Sequence, residues 1–408
     1  MTSTRHLVGL ALVGAVLIGT SCSSDSKSAN TSSPESSAAA ETSAGEETTG
    51  AAETTGAPET STPAADGFSV VAGLRQIPTA VRDTEEGSGS DIQIAMSDLD
   101  AATELAGIER PPAGTTDVDA LTDWLLTLNG PRREDKTPVL AALLPEAAQP
   151  ESFGHVAEFI DEVGWSISDV HTFVEYQTPP NVFTVLAGTF DADALTKAMG
   201  EPTEGMWSLG GDDFSVDPAS RSTARPLGES LRLSLRDDTL AVARSTPPIE
   251  AWLASDDSST GTLADDEGLV AVGAALDKTK VYSAMLVESD FSGPRPNAPP
   301  TSGPVPSGLG PFVDVGIGQA IEDGTPLAVF AYYYDDEAAA AGAVDPLTDL
   351  LEEGFSFRTN KLWSDSFGIR DISADGHVLT ATLELKDFSP ASVWNILFAR
   401  DNLFTGSS

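Results

Sequence analysis

One order of elements occurs twice along this chain, and that repetition restricts the fold more than any composition figure. The runs FTVLAGTFDADAL, Phe183 to Leu195, and LAVFAYYYDDEAA, Leu327 to Ala339, each read as an apolar strand and then an acid-x-acid-Ala start to a helix. A Trp-Ser pair stands downstream of each helix, at Trp207-Ser208 and Trp363-Ser364. Strand, polar turn and strand follow in both copies, as LRLSLRDDTLAVAR and FGIRDISADGHVLTATLEL. Each copy then enters a helix through Pro-x-x-x-Trp, Pro248 to Trp252 and Pro390 to Trp394. Four features in one order argue for internal duplication. They predict an α+β fold of two related β-β-α-β-β-α halves, with mainly antiparallel sheets covered by helices on one face. The halves span 151–262 and 263–408, with an N-terminal α/β part at 67–150 packed on the first. Trp252 and Trp394 are then expected at equivalent buried positions.

The N-terminal part has its own pattern. IQIAMS, from Ile92, reads as a short strand, and DLDAATELAG as a helix opening at Asp98. DVDALTDWLLTL has the apolar spacing of an amphipathic helix, and PVLAALLPEAA and FGHVAEFIDEVG are further helix candidates. DVHTFVEY and NVFTVLAGTF are extended runs joined by Thr178-Pro179-Pro180, which predicts a reversal.

Residues 23–66 cannot fold. They are almost wholly Ser, Thr, Ala, Glu, Gly and Pro, with no aromatic or large aliphatic side chain to bury. Such a tether spans roughly 35–40 Å as a flexible coil, and its charges extend it further. The chain carries 63 Asp and Glu against 22 Lys and Arg, a formal charge of −41. Arg5 contributes +1 and residues 23–66 a net −7, which leaves −35 from Gly67 onward. That surface repels nucleic-acid phosphates and anionic headgroups, so neither a nucleic-acid partner nor direct docking on a bilayer is expected. Solubility and spacing are the plain reading of the charge; a divalent cation or a basic partner is the sharper one.

The single cysteine, Cys22, lies where an apolar run meets the serine tract, in LVGLALVGAVLIGTSCSSDSKS. Leu7 to Ile18 is far short of the ~20 residues that span a bilayer, but it suits the h-region of a signal peptide at 1–21 behind Arg5. Small residues directly before a lone cysteine resemble the lipobox of bacterial lipoproteins. The resemblance implies that Cys22 receives a diacylglyceryl group and becomes the new N-terminus. Two acyl chains give stable anchoring where one gives marginal binding. It implies a protein of the cell membrane, lipid-anchored on the extracytoplasmic side. Gly19 and Ser21 would also suit an ordinary signal peptidase, and simple secretion is the alternative reading. With its one thiol used at residue 22, the exported part has no internal disulfide and must be held by a buried core.

Catalytic motifs are absent from the sequence. There is no Gly-x-Ser-x-Gly, no Ser-x-x-Lys beyond the tether, and no His-Glu-x-x-His. His155, His171 and His377 read as packed or solvated side chains. The acid pairs Asp98-x-Asp100, Asp191-x-Asp193 and Asp335-x-Glu337 read as helix caps rather than metal ligands, as do Thr246 and Ser389 before prolines. Gly316-Ile317-Gly318 makes no phosphate cradle. DISADGHVLTAT begins like a calcium loop but has Thr382 where the closing Glu belongs, so Asp375-Gly376 reads as a hairpin turn. No metal and no cofactor is expected. The candidate ligand-binding side chains are Tyr332 and Tyr334, aromatics at a strand end with Tyr333 on the opposite face. The Pro- and Gly-rich stretch from Ser289 to Pro311 is expected either to border a binding surface or to be disordered. These features favour a non-enzymatic lipoprotein that binds an envelope ligand or protein partner. An envelope hydrolase with carboxylate chemistry and a purely structural or assembly lipoprotein are the alternatives.

Overall fold

A central strand set decides the architecture. In chain order the elements are α1 (Val70–Leu74), β1 (Ile92–Asp98), α2 (Leu99–Ala106), α3 (Val118–Asn129), α4 (Val156–Val163), β2 (Val170–Thr178), β3 (Asn181–Gly188) and α5 (Ala192–Met199). Then come β4 (Trp207–Leu209), β5 (Leu231–Arg236), β6 (Thr239–Ala243), α6 (Thr246–Ala254), α7 (Glu267–Asp277), β7 (Ser283–Glu288), β8 (Asp314–Glu322) and β9 (Thr325–Tyr333). The last are α8 (Glu337–Gly342), α9 (Val344–Glu353), α10 (Trp363–Ser366), β10 (Phe367–Asp375), β11 (Val378–Leu385) and α11 (Pro390–Phe398). This computed structural model describes residues 68–82, 92–129, 140–148, 154–179, 181–255, 261–288, 308–386, 390–398 and 401–404. Cys22, the tether, Ser389 and most of the Ser289–Pro311 stretch lie outside the described residues.

The strands form one eleven-stranded sheet in the order β10-β11-β9-β8-β7-β1-β2-β3-β6-β5-β4, antiparallel at every pairing. The α+β class with a large antiparallel sheet therefore stands. β1 occupies the middle, paired with β2 on one side and β7 on the other. The N-terminal part thus does not attach to one half alone, and the amide of Val70 in α1 donates to Asp277 of α7 at 2.6 Å. Outward from the centre, β1-β2-β3-β6-β5 and β7-β8-β9-β11-β10 have the same connectivity. β8 and β9 join through a tight turn at Asp323-Gly324, both with positive φ. The long Ser289–Pro311 stretch connects β7 to β8, and the β1-to-β2 connection that carries α2 to α4 holds the corresponding place on the other side of the sheet.

Helices cover both faces of the sheet rather than one. Along β9, Leu327, Val329 and Ala331 enter a core with side chains of α1, α6 and α7, whereas Ala328, Phe330 and Tyr332 enter another with α8 to α11. A third core, on the same side as the latter, packs α2 to α5 over β2, β3, β5 and β6. Strands buried on both faces read as continuous apolar runs, which is what LAVFAYY displays. Trp252 and Trp394 are both buried, but in cores on opposite faces, so they are not equivalent. Gly316 and Gly318 have a packing role. A Cβ at Gly316 would stand 2.4 Å from Val272 Cγ1 of α7, and one at Gly318 would stand 2.5 Å from Val281 Cγ1.

Two local expectations change. PVLAALLPEAA is not a helix: its described residues run without regular structure to a 3-10 turn at Glu146–Ala148. Pro145 lacks an amide hydrogen. The amides of Ala141, Ala142 and Leu143 donate instead to Tyr282 Oη, Leu128 O and Ser283 Oγ. Asp98 and Asp191 cap α2 and α5 as expected, but Asp336 rather than Asp335 caps α8. Thr246 is the first residue of α6 rather than its cap, and Asp213 accepts from both its amide and its hydroxyl, at 2.9 and 3.0 Å.

Candidate functional site

The aromatic candidates are core residues. Tyr332 and Tyr334 are both 0 % exposed. Phe312 meets both rings edge-on, and Phe404 stacks on Tyr332 at 5.6 Å. Burial raises both phenol pKa values, so both stay neutral. Neither ring can line an open binding surface, because aromatics from outside their strand enclose them. Tyr333 does lie on the other face, stacked on His377.

The structure brings together a different set, over β3, β5 and β6. A shallow cleft, open to solvent, is walled by Val182, Leu231 and Val242 and carries Glu146, Glu229 and Arg244. Arg244, directly after β6, donates from Nη2 to Glu146 Oε1 at 2.7 Å. Glu229 accepts the Leu227 amide at 2.8 Å. Leu227 and Val216, the latter bridged to Glu229, are exposed apolar side chains beside this segment.

Glu175 of β2 lies behind the cleft and is 1 % exposed. Its Oε2 accepts from the Glu146 amide at 2.9 Å and from Thr184 Oγ1 at 2.8 Å, and its Oε1 from Gln177 Nε2 at 2.6 Å. Burial, with the Glu146 carboxylate next in weight, raises its pKa to about 7 against the pull of those donors. Enclosed and fully bonded, Glu175 fixes the turn that presents Glu146. It has no open path to a substrate.

Two further clusters bear on chemistry. His171 of β2 places Nδ1 2.5 Å from Asp100 Oδ2 and Nε2 3.0 Å from Thr189 Oγ1. Partial burial opposes it, but the His171 bond and the Arg110 charge hold the Asp100 carboxyl below its usual pKa. The acid–imidazole–hydroxyl order matches that of a hydrolase relay, and the sequence reading of His171 missed it. The side chains of His171 and Asp100 are 40 % and 49 % exposed, however, and the Thr189 amide is bonded to Asp169 O. The relay lies open to water and ties α2 to the β3–α5 connection. At the other cluster, Arg82 pairs with Asp266 at 3.1 Å and Glu288 at 2.8 Å. Asp314, opposite Glu288 in the sheet, is raised to about 7 by burial and then by those two carboxylates. Among the described residues no group of His, Cys, Asp and Glu is arranged to hold a metal ion, and no helix is long and apolar enough to cross a membrane.

No sequence signal marked Glu146, Glu175, Glu229 and Arg244 as neighbours, because they come from four separate segments. A lone acid between Val174 and Tyr176 was the one available hint. No protein-family model matches the chain. No curated protein matches it. Among solved structures, crystal form I of TP0453 is similar at 10% identity over 79% of this chain and 98% of that chain, with a TM-score of 0.34. Crystal form III of TP0453 is similar at 9% identity over 78% and 97%, with a TM-score of 0.32. Likeness at that level carries no argument about this chain.

Proposed function

We propose that this protein is a cell-envelope lipoprotein, anchored through Cys22 on the extracytoplasmic face of the membrane, that binds a ligand or partner without catalysing a reaction. The lipobox-like segment Gly19-Thr20-Ser21-Cys22 and the Ser-, Thr- and Glu-rich stretch behind it support the placement. The cleft, with Glu146 and Arg244 paired in its lining, carries the binding reading. Aliphatic walls next to one cation and two carboxylates complement a small group that bears an amine and a carboxylate beside an apolar chain, such as an amino acid or a peptide end. We also propose that the body is two related halves, which the shared connectivity outward from β1 and β7 supports. The two last helices depart from it, because α6 and α11 pack on opposite faces.

Titration calorimetry with leucine, N-acetylleucine and leucinamide tests the cleft. Leucine should bind, and blocking either end should weaken binding about tenfold or more, since a charge-assisted hydrogen bond contributes about 1.5–3 kcal/mol. Arg244→Gln should remove the preference for the free carboxylate, and Glu146→Gln that for the free amine. Equal affinity for all three probes, or none, counts against this reading.

A further inference from the structure

In so acidic a protein, the segment between α9 and α10 has a surface of the opposite character. Residues 354–363, GFSFRTNKLW, contain Arg358 and Lys361 and no acid, in a chain with 63 acids against 22 bases. They form a short hairpin between α9 and α10. The Trp363 amide donates to Gly354 O, the Ser356 amide to Lys361 O, and the Asn360 amide to Ser356 O, with Asn360 at φ 54°. Phe355 and Leu362 pair across it, so their side chains share one face, where they are 46 % and 44 % exposed. The Phe357 ring meets Phe355 edge-on at 5.8 Å. Arg358, Thr359, Asn360 and Lys361 at the tip are all exposed. A third base, Lys386, is held at the foot by Ser364 O at 3.0 Å.

The hairpin is braced from below, so its exposed rings are not a frayed loop. Buried Asp401 accepts from Ser356 Oγ at 2.6 Å and from the Phe357 amide at 2.8 Å. Asn402 accepts from Trp363 Nε1 at 2.9 Å and donates to Phe355 O at 3.0 Å. A rigid element that displays aromatic and aliphatic side chains beside bases is suited to the interface of a bilayer, where rings lie among headgroups and bases meet lipid phosphates. We propose that this hairpin is a docking finger for the anionic lipid surface of the membrane. Acids do stand nearby, at Glu352, Glu353 and Asp365 beside its foot. Much of the remaining negative charge is screened from the tip, because the Debye length is about 8 Å at physiological salt.

The finger rests on the envelope reading for the membrane it would meet, and the test is run without the anchor so that the two can fail separately. The full chain carrying Cys22→Ser and Thr359→Cys has a single thiol, which takes an environment-sensitive fluorophore at the tip. Titration with vesicles of mixed phosphatidylglycerol and phosphatidylcholine should shift its emission to the blue, reversibly with salt, and pure phosphatidylcholine should not. Arg358→Glu with Lys361→Glu should weaken the response about tenfold or more, as each base near an anionic surface contributes roughly 1 kcal/mol. Phe355→Ser should reduce the shift, and the milder pair Arg358→Gln with Lys361→Gln serves if the charge reversal lowers the melting temperature. A probe at Glu204→Cys, in a turn of the first half, should not respond. An unchanged tip emission with anionic vesicles overturns the proposal, as does a response that survives charge removal in a folded variant.

Discussion

Glu175 and Asp314 are carboxyls that hold protons near neutrality, because each is buried among other carboxylates. The consequence for stability has a definite sign. Glu175 is raised from 4.5 to about 7, so between those values the folded protein keeps a proton that the unfolded chain has released. Stability therefore falls as pH rises through that window and levels above about 7, with a magnitude of order 3 kcal/mol for the full shift. Glu175→Gln should flatten that part of the profile, so urea unfolding at pH values on either side of the window should show less loss in the variant than in the parent. A parent whose stability rises steadily across the window would contradict the assignment. At this scale the sequence showed less than it did for elements. Alternation correctly set Tyr333 apart from Tyr332 and Tyr334, but the rings that enclose the latter pair, Phe312 and Phe404, come from outside the strand. The cleft was hidden for the same reason, since its charged side chains meet only after the sheet has formed.

Elements were read more successfully, because strand and helix periods and the N-cap acids are local. Both strand-turn-strand runs became hairpins, β5–β6 and β10–β11. Errors arose where a remote partner decided the outcome. PVLAALLPEAA has helical apolar spacing, but Tyr282 and Ser283 take the amides a helix would use. The start of α6 is a second case: Ser245 makes no side-chain cap bond, and Asp213 caps Thr246 from another segment while also pairing with Arg232 at 3.1 Å. Asp213→Ala should therefore destabilise the protein by about 1–2 kcal/mol, the usual cost of a lost cap. Chemical denaturation would register this as a lower midpoint with unchanged slope. A neutral result would show that the α6 terminus is satisfied by water.

At the scale of the whole molecule, the repeated order of elements foretold a mixed antiparallel architecture, but not one continuous sheet. Whether strands belong to one sheet or two depends on β1, whose sequence gives no hint that it will pair with both β2 and β7. The same is true of charge. A net −41 predicts repulsion from anionic surfaces, while the basic tip at Arg358 and Lys361 is an exception that becomes visible only with its exposed rings in place. Anchor, tether, cleft and finger are proposed together as parts of a body that works beside the membrane. Phase partitioning of the expressed protein in a cloud-point detergent, parent against Cys22→Ser, tests it most directly. The parent is expected to enter the detergent phase, and the variant to stay in the aqueous phase with its fold intact. A variant that partitions like the parent would contradict the lipid anchor.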